Sequence, residues 1–247
     1  MKIIFKYILK IYLKYITKLV LLIHRPAIIA VTGSINKPFA KEAIKKALED
    51  LGLSVRANPK NFNTEIGLPL AILALTSGYN SFVDWLPIII AAPKRIFSRN
   101  FPDYLVLGLG TSDPGDMKYL LSIVRPNITI ITDITQRYLE SFSDMNELVG
   151  EYEYLTRLMP TAGLLITNND NARLVALSGR AKCRVITFAI DNPADYQAKG
   201  TQATDTGQKF YLHCLEKGQE PVSISRFGKH HVIAFLIGRI IKDYVVK

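Results

Sequence analysis

The sequence predicts an α/β protein, a three-layer arrangement around a mostly parallel sheet, preceded by a basic amphipathic helix. Three observations carry this reading. Apolar, β-branched runs bounded by turn residues recur at 27–32, 53–56, 104–109, 127–132, 164–167 and 184–188. Helical patterns fall around and between them at 38–51, 66–75, 80–98, 115–123, 143–158, 170–178 and 229–245. Strands alternating with helices argue for parallel pairing with helices on both faces. Finally, residues 27–42 run from an apolar strand through Thr32-Gly33-Ser34 and a lysine into a helix beginning near Pro38.

Taken in order, the first element is MKIIFKYILKIYLKYITKLVLLIHR, with a lysine at every fourth position from Lys2 to Lys18. At about 100° per residue those lysines form one broad stripe. Ile4, Phe5, Ile8, Ile11, Tyr12, Tyr15, Ile16, Leu19 and Leu22 lie opposite it. Two destinations stay open for the apolar side: a membrane interface, or the domain or a partner chain. The run Leu19–Ile23 is far shorter than the roughly 20 residues needed to span a bilayer. A secretory signal is not expected, because lysines interrupt the apolar stretch and no small-residue cleavage site follows.

Next comes the strand–loop–lysine–helix segment, the order in which backbone N–H groups and a helix N-terminus hold phosphate. The pattern calls for Gly-Lys-Thr or Gly-Lys-Ser; this chain reads Asn36-Lys37-Pro38-Phe39. The hydroxyl that would hold Mg²⁺ is missing, and Pro38 removes one backbone N–H although it suits a first helical turn. In parallel sheets ligands bind at the carboxyl ends of strands, so the loops after Val31, Leu107 and Ile131 are the expected site. Residues 190–226 are polar and turn-rich, with strand-like pieces at Phe210–Leu212 and Val222–Ile224 that predict an edge hairpin.

At 247 residues and 49% hydrophobic, the chain has material for one sizeable domain. Cys183 and Cys214 lack metal-ligand spacing and read as reduced thiols. Of the net charge of +10, residues 1–26 supply six positive charges and no acid. The basic excess is local, so no nucleic-acid partner is expected.

Several segments together resemble the Mur ligases, specifically the central ATP-binding domain of the type that adds D-alanyl-D-alanine to a peptidoglycan precursor. They are Asn61-Phe62-Asn63-Thr64-Glu65-Ile66-Gly67-Leu68-Pro69-Leu70, Pro114-Gly115-Asp116-Met117, Tyr138-Leu139-Glu140, Asn168-Asn169-Asp170-Asn171 and Gly228-Lys229-His230-His231. The resemblance runs from about Pro26 to Tyr244 and implies a P-loop NTPase-like topology. It divides the chain into a helix over 1–25 and a central domain over 26–247, with the family's N-terminal substrate domain and C-terminal amino-acid domain not represented.

That family forms an acyl phosphate from a carboxylate and ATP, and metal ions neutralise the developing charge. The resemblance places the family's metal-holding glutamate on Gly108, its metal-ligand histidine on Tyr138 and its carbamylated lysine on Tyr152. The phosphate loop is altered at Asn36 and Pro38, and Phe39 sets a bulky ring beside it. The implied residual nucleotide contacts are Gly33, Ser34, Asn36, Lys37, Asn168 and His230; the implied substrate contacts are Asn61, Asn63 and Glu65. Each has a plainer reading: Lys37 as a helix-start lysine, Asn61–Leu70 as a capped turn, His230 and His231 as structural histidines, and Tyr152 and Tyr154 as packing.

The expectation is therefore a degenerate, catalytically inactive Mur-ligase-like protein, cytoplasmic and peripheral at the inner membrane face, with no cofactor or only residual ATP and Mg²⁺. Its expected partners are an active Mur ligase or another envelope-building enzyme, a second copy of the chain, and the membrane surface through residues 1–23. One alternative is a working ATP-dependent amide ligase whose metal site is rebuilt from Asp113, Asp116, Glu140 or Glu151. Another is a small-molecule or nucleotide-sugar binding module that keeps only the Asn61–Leu70 region.

Overall fold

The computed structural model describes residues 3–59, 62–137 and 139–246. Asn61 and Tyr138, like Lys2 of the lysine stripe, lie outside the described residues. Helix α1 (Ile3–His24) leads into β1 (Ala27–Thr32), α2 (Lys37–Glu49), β2 (Val55–Ala57), α3 (Gly67–Ile72) and α4 (Phe82–Ala91). Then come β3 (Tyr104–Gly108), α5 (Asp116–Leu121), β4 (Ile128–Ile131), α6 (Met145–Leu158), β5 (Leu164–Asn168), α7 (Ala172–Ser178) and β6 (Arg184–Ala189). Strands β7 (Tyr196–Thr204), β8 (Gly207–Cys214) and β9 (Gly218–Ile224) precede α8 (Lys229–Val245).

The strands form one sheet in the order β2-β3-β1-β4-β5-β6-β7-β8-β9, parallel from β2 through β7 and antiparallel beyond. Strand β1 is central: Ile29 pairs with Val106 of β3 on one side and Ile128 of β4 on the other. Its register brings the carboxyl ends of β1, β3 and β4 together, which is where the loops after Val31, Leu107 and Ile131 converge. Parallel strands buried on both faces explain the near-continuous apolar runs. Helices α2 and α8 cover one face through Ile44, Leu48, Val232 and Leu236. Helices α5 and α6 cover the other through Leu120 and Leu155, with α7 extending that layer.

Two sequence expectations change. The edge hairpin is a three-stranded antiparallel meander, because β7 (YQAKGTQAT) has a polar tail that hides its strand pattern; only its first three residues are buried. The helix expected over 80–98 ends at Ala91 and continues as a 3₁₀ turn over Pro93–Phe97, since Pro93 cannot continue an α-helical ladder.

Helix α1 packs on the domain with an arc turned toward the lysines, which takes in only Phe5, Tyr12 and Ile16 of the side opposite them. Leu9, Leu13 and Val20 are buried against Leu70, Leu73, Trp85, Ile88 and Ala92 of α3 and α4, with Phe5, Tyr12 and Ile16 half-buried beside them. Ile4, Ile8, Ile11, Tyr15, Leu19 and Leu22 remain exposed. The lysine stripe is not purely solvated: Lys10 pairs with Glu65, and its ammonium lies 3.8 Å from the centre of the Tyr119 ring. The helix therefore has two apolar sides, and packing satisfies one of them.

Leu13 is fully buried, so Leu13→Ala leaves a cavity and lowers unfolding free energy by about 2–5 kcal/mol. Exposed Ile8→Ala changes it by less than about 0.5 kcal/mol. Urea denaturation of both variants checks the docking; equal, small effects would contradict it.

Candidate functional site

The loop after β1 keeps its shape through one glycine and one asparagine. Gly33 sits at φ +124°, where an added Cβ would lie 2.3 Å from the Thr132 hydroxyl and 2.8 Å from the Asp133 carbonyl. Asn36 takes the left-handed conformation at φ 66°, which asparagine tolerates better than most residues. The loop is strapped to the exit of β4. The Ser34 N–H donates to the Asp133 carbonyl at 2.8 Å, the Thr135 N–H donates to Ser34 Oγ at 3.0 Å, and Thr132 Oγ1 donates to the Ile35 carbonyl at 2.6 Å.

Lys37 does not project into solvent. Its ammonium donates to the Gly33 carbonyl, closing over the loop it follows. Burial pulls its pKa down to about 8, and the nearby charges of Arg137 and Lys41 push the same way. One helical turn on, Lys41 is 7% exposed and donates to the Asn58 carbonyl at 2.8 Å and to Asn58 Oδ1 at 2.9 Å. Burial also lowers its pKa to about 8. No carboxylate offsets the shift of either lysine.

Asn58 joins this charge to the end of β3. Its Oδ1 accepts the Gly108 N–H at 2.7 Å, while its Nδ2 donates to the Phe62 carbonyl at 2.7 Å. A Cβ on Gly108 would touch Asn58 Oδ1 and Lys41 Cδ, each at 3.4 Å. The position at which the resemblance calls for a metal-holding carboxylate thus faces an ammonium and an amide. Tyr152, on α6, is 1% exposed, and its hydroxyl faces those of Ser34 and Thr111. Burial raises its phenol pKa, so it presents a neutral hydroxyl.

The neighbouring carboxylates are engaged elsewhere. Glu151 accepts the Gly115 and Met117 N–H groups, both at 2.8 Å, at the start of α5. Asp116 accepts the Ser112 and Asp113 N–H groups, both at 2.9 Å. Asp133 accepts from the Asn171 side chain at 2.5 Å and the Ile134 N–H at 2.9 Å. Among the described residues no group of three or more His, Cys, Asp or Glu is placed to hold a metal ion. Among the described residues, Asp113, Asp116, Glu140 and Glu151 do not converge: Asp116 and Glu151 accept N–H groups at turns and helix starts, and Asp113 and Glu140 face solvent.

The remaining candidates divide. Asn168, buried at the end of β5, accepts the Asp170 N–H at 3.0 Å, and Asp170 in turn accepts three N–H groups from residues 190–192. His230 lies tilted against the Phe39 ring at 4.5 Å and the His231 ring at 4.3 Å, at the rim above the start of α2. Asn63 reaches the strand ends, with its carbonyl 2.9 Å from the Gly110 N–H. Glu65 is turned away toward Lys10. Sequence reasoning missed Lys41 and Asn58. The available signal was Lys41 sharing a helix face with Ile44 and Leu48, at i, i+3 and i+7.

Residues 89–239 match the family described as the Mur ligase middle domain. The chain belongs to the Mur ligase family. It is 25% identical over 210 residues to the UDP-N-acetylmuramoyl-tripeptide--D-alanyl-D-alanine ligase of Haemophilus influenzae, covering 84% of this chain and 40% of that protein. The Escherichia coli K12 ligase of the same name is 24% identical over 207 residues, with 83% and 40% covered. Among solved structures, MurF from Acinetobacter baumannii superposes with a TM-score of 0.77 at 19% identity, over 96% of this chain and 47% of that one. MurF from Thermotoga maritima, in complex with ADP, gives 0.76 at 18% identity, over 95% and 49%. The chain thus spans about two fifths of the length of these Mur ligase relatives.

Lys37 and Lys41 deprotonate more easily in the folded chain, so the unfolded chain binds more protons between about pH 8 and 10.5. Stability therefore rises with pH in that window. Lys41 contributes on the order of 2 kcal/mol between about pH 8 and 9.5. Lys41→Met is expected to remove about half of the rise in urea midpoint over this range; an unchanged slope would place the ammonium elsewhere.

Proposed function

We propose that this Mur-ligase-family chain is a catalytically inactive member, tied to peptidoglycan precursor metabolism. It acts as a scaffold or regulator at the inner membrane face rather than as a ligase. The observation that carries the reading is the buried Lys41 ammonium, held by Asn58 beside Gly108 with no acid to balance it. Acyl-phosphate chemistry with ATP needs divalent cations beside the triphosphate, and cations need oxygen anions as ligands. Here the strand ends present two lysines, an amide, a glycine and a neutral phenol, while the carboxylates near Tyr152, Asp133 and Glu151, are held by Asn171 and the Ile134 N–H and by the Gly115 and Met117 N–H groups. Mg²⁺ does not fit this donor set, so no catalytic step is derived through it.

The position of α1 supports the membrane part of this reading. No helix among the described residues is long and apolar enough to cross a membrane, yet α1 keeps one apolar side in solvent after docking. Amphipathic helices of this composition lie in the headgroup region. An active Mur ligase, or another enzyme that handles the same precursors, is the partner this placement suits.

Calorimetric titration with a nonhydrolysable ATP analogue tests the inactive reading. Any binding is expected to be independent of Mg²⁺, because the lysines can meet phosphate oxygens without a metal. The Asn36→Gly/Pro38→Thr double variant restores the loop consensus and is expected to leave ATP hydrolysis at background. Mg²⁺-dependent affinity in the natural chain, or robust turnover by the variant, would overturn it.

A further inference from the structure

Helix α4, which buries Trp85 and Ile88 under α1, lies alongside α1 in the same direction. The Phe5 and Phe82 rings meet edge to face at 4.9 Å, and the Tyr12 hydroxyl donates to the Ile89 carbonyl at 2.7 Å. Seven residues separate the two contacts on each helix, so the axes advance together. Further on, His24 Nε2 lies 3.1 Å from the Ile96 carbonyl in the 3₁₀ turn that follows α4.

Both helices leave their outer sides apolar. On α1, Ile4, Ile8 and Leu22 are 59–74% exposed; on α4, Val83, Leu86 and Ile90 are 54–79% exposed. Helical periodicity puts these sets next to the Phe5–Phe82 and Tyr12–Ile89 contacts, so they form one surface rather than two. Along α1 it runs about 33 Å, and α4 widens it over about 15 Å. A monomer rarely exposes so continuous an apolar face without a use for it.

We propose that α1 and α4 together form a lipid-facing platform that seats the chain on an anionic membrane surface. This rests on the membrane-associated reading above and adds a second helix to it. The charge pattern selects lipid as the occupant. Helix α1 contains no acid, and α4 contains only Asp84, about 160° around the helix from Leu86. Exposed Lys18 and Arg25 border the α1 stripe, and exposed Lys94 and Arg99 follow α4. Exposed Tyr7, Tyr15, Phe82 and Phe97 are aromatic side chains of the kind that settle at the headgroup level. Basic side chains around an apolar, aromatic surface match an anionic bilayer interface.

The full chain is tested by co-sedimentation with phosphatidylcholine vesicles with and without phosphatidylglycerol. Partition is expected only to the phosphatidylglycerol vesicles. Leu86→Glu/Ile90→Glu in α4 and Ile8→Glu/Leu22→Glu in α1 are each expected to lower it about tenfold, with circular dichroism unchanged. If the α4 variant partitions like the natural chain while the α1 variant does not, this inference fails and the simpler membrane reading stands. If no vesicle binds the natural chain, both fail. A dimer detected by light scattering and abolished by the same substitutions would make the face a protein interface and also overturn the proposal.

Discussion

The constraint on which the site depends is an uncompensated positive charge inside the protein. Lys41 reaches the end of β3 through a packed helix face and finds only neutral oxygens, both from Asn58. The arrangement persists because Asn58 is itself held from two other sides, by the Gly108 N–H and the Phe62 carbonyl. A divalent cation beside such an ammonium would meet a repulsion on the order of several kcal/mol at an effective dielectric of about 20. Carboxylates normally outweigh a term of that size; here the nearby ones cap α5 and brace the loop after β4. Tyr152 adds bulk and a neutral hydroxyl beside it.

The loop after β1 keeps its own shape independently of that charge. Gly33 fits because of a close approach to Thr132 and Asp133, and Asn36 supplies the left-handed turn that lets α2 begin on Lys37 and Pro38. Backbone geometry and sheet register thus do not depend on the residues on which the proposed inactive reading turns. Helix α1 extends the theme, since Leu9, Leu13 and Val20 complete a core with α3 and α4 that the sheet layers do not supply. Docking this helix brings a second apolar side, together with that of α4, to the surface.

Much of this was legible in the sequence. Six of the seven strands in parallel pairing announced themselves as apolar runs, the central ones because both of their faces are covered, and the loop after β1 was readable from Gly33 and Lys37. Strand β7 was hidden because its tail after Ala198 is exposed and pairs only with β8, where polar residues serve as well as apolar ones. The buried face of α1 was missed for a related reason: the lysine spacing pointed to a single apolar side, whereas the docking partners Trp85 and Ile88 lie more than sixty residues downstream. Lys41 was unread because a lysine on a helix is ordinarily solvated. Only the three-dimensional neighbourhood of Asn58 and Gly108 gives it a different meaning.

The most direct measurement is a crystal of the full chain soaked with a nonhydrolysable ATP analogue and Mn²⁺, examined by anomalous scattering. The account predicts no manganese peak among the loop after β1, Gly108 and Tyr152, whether or not phosphate density is present. Two well-coordinated ions at that place would contradict it.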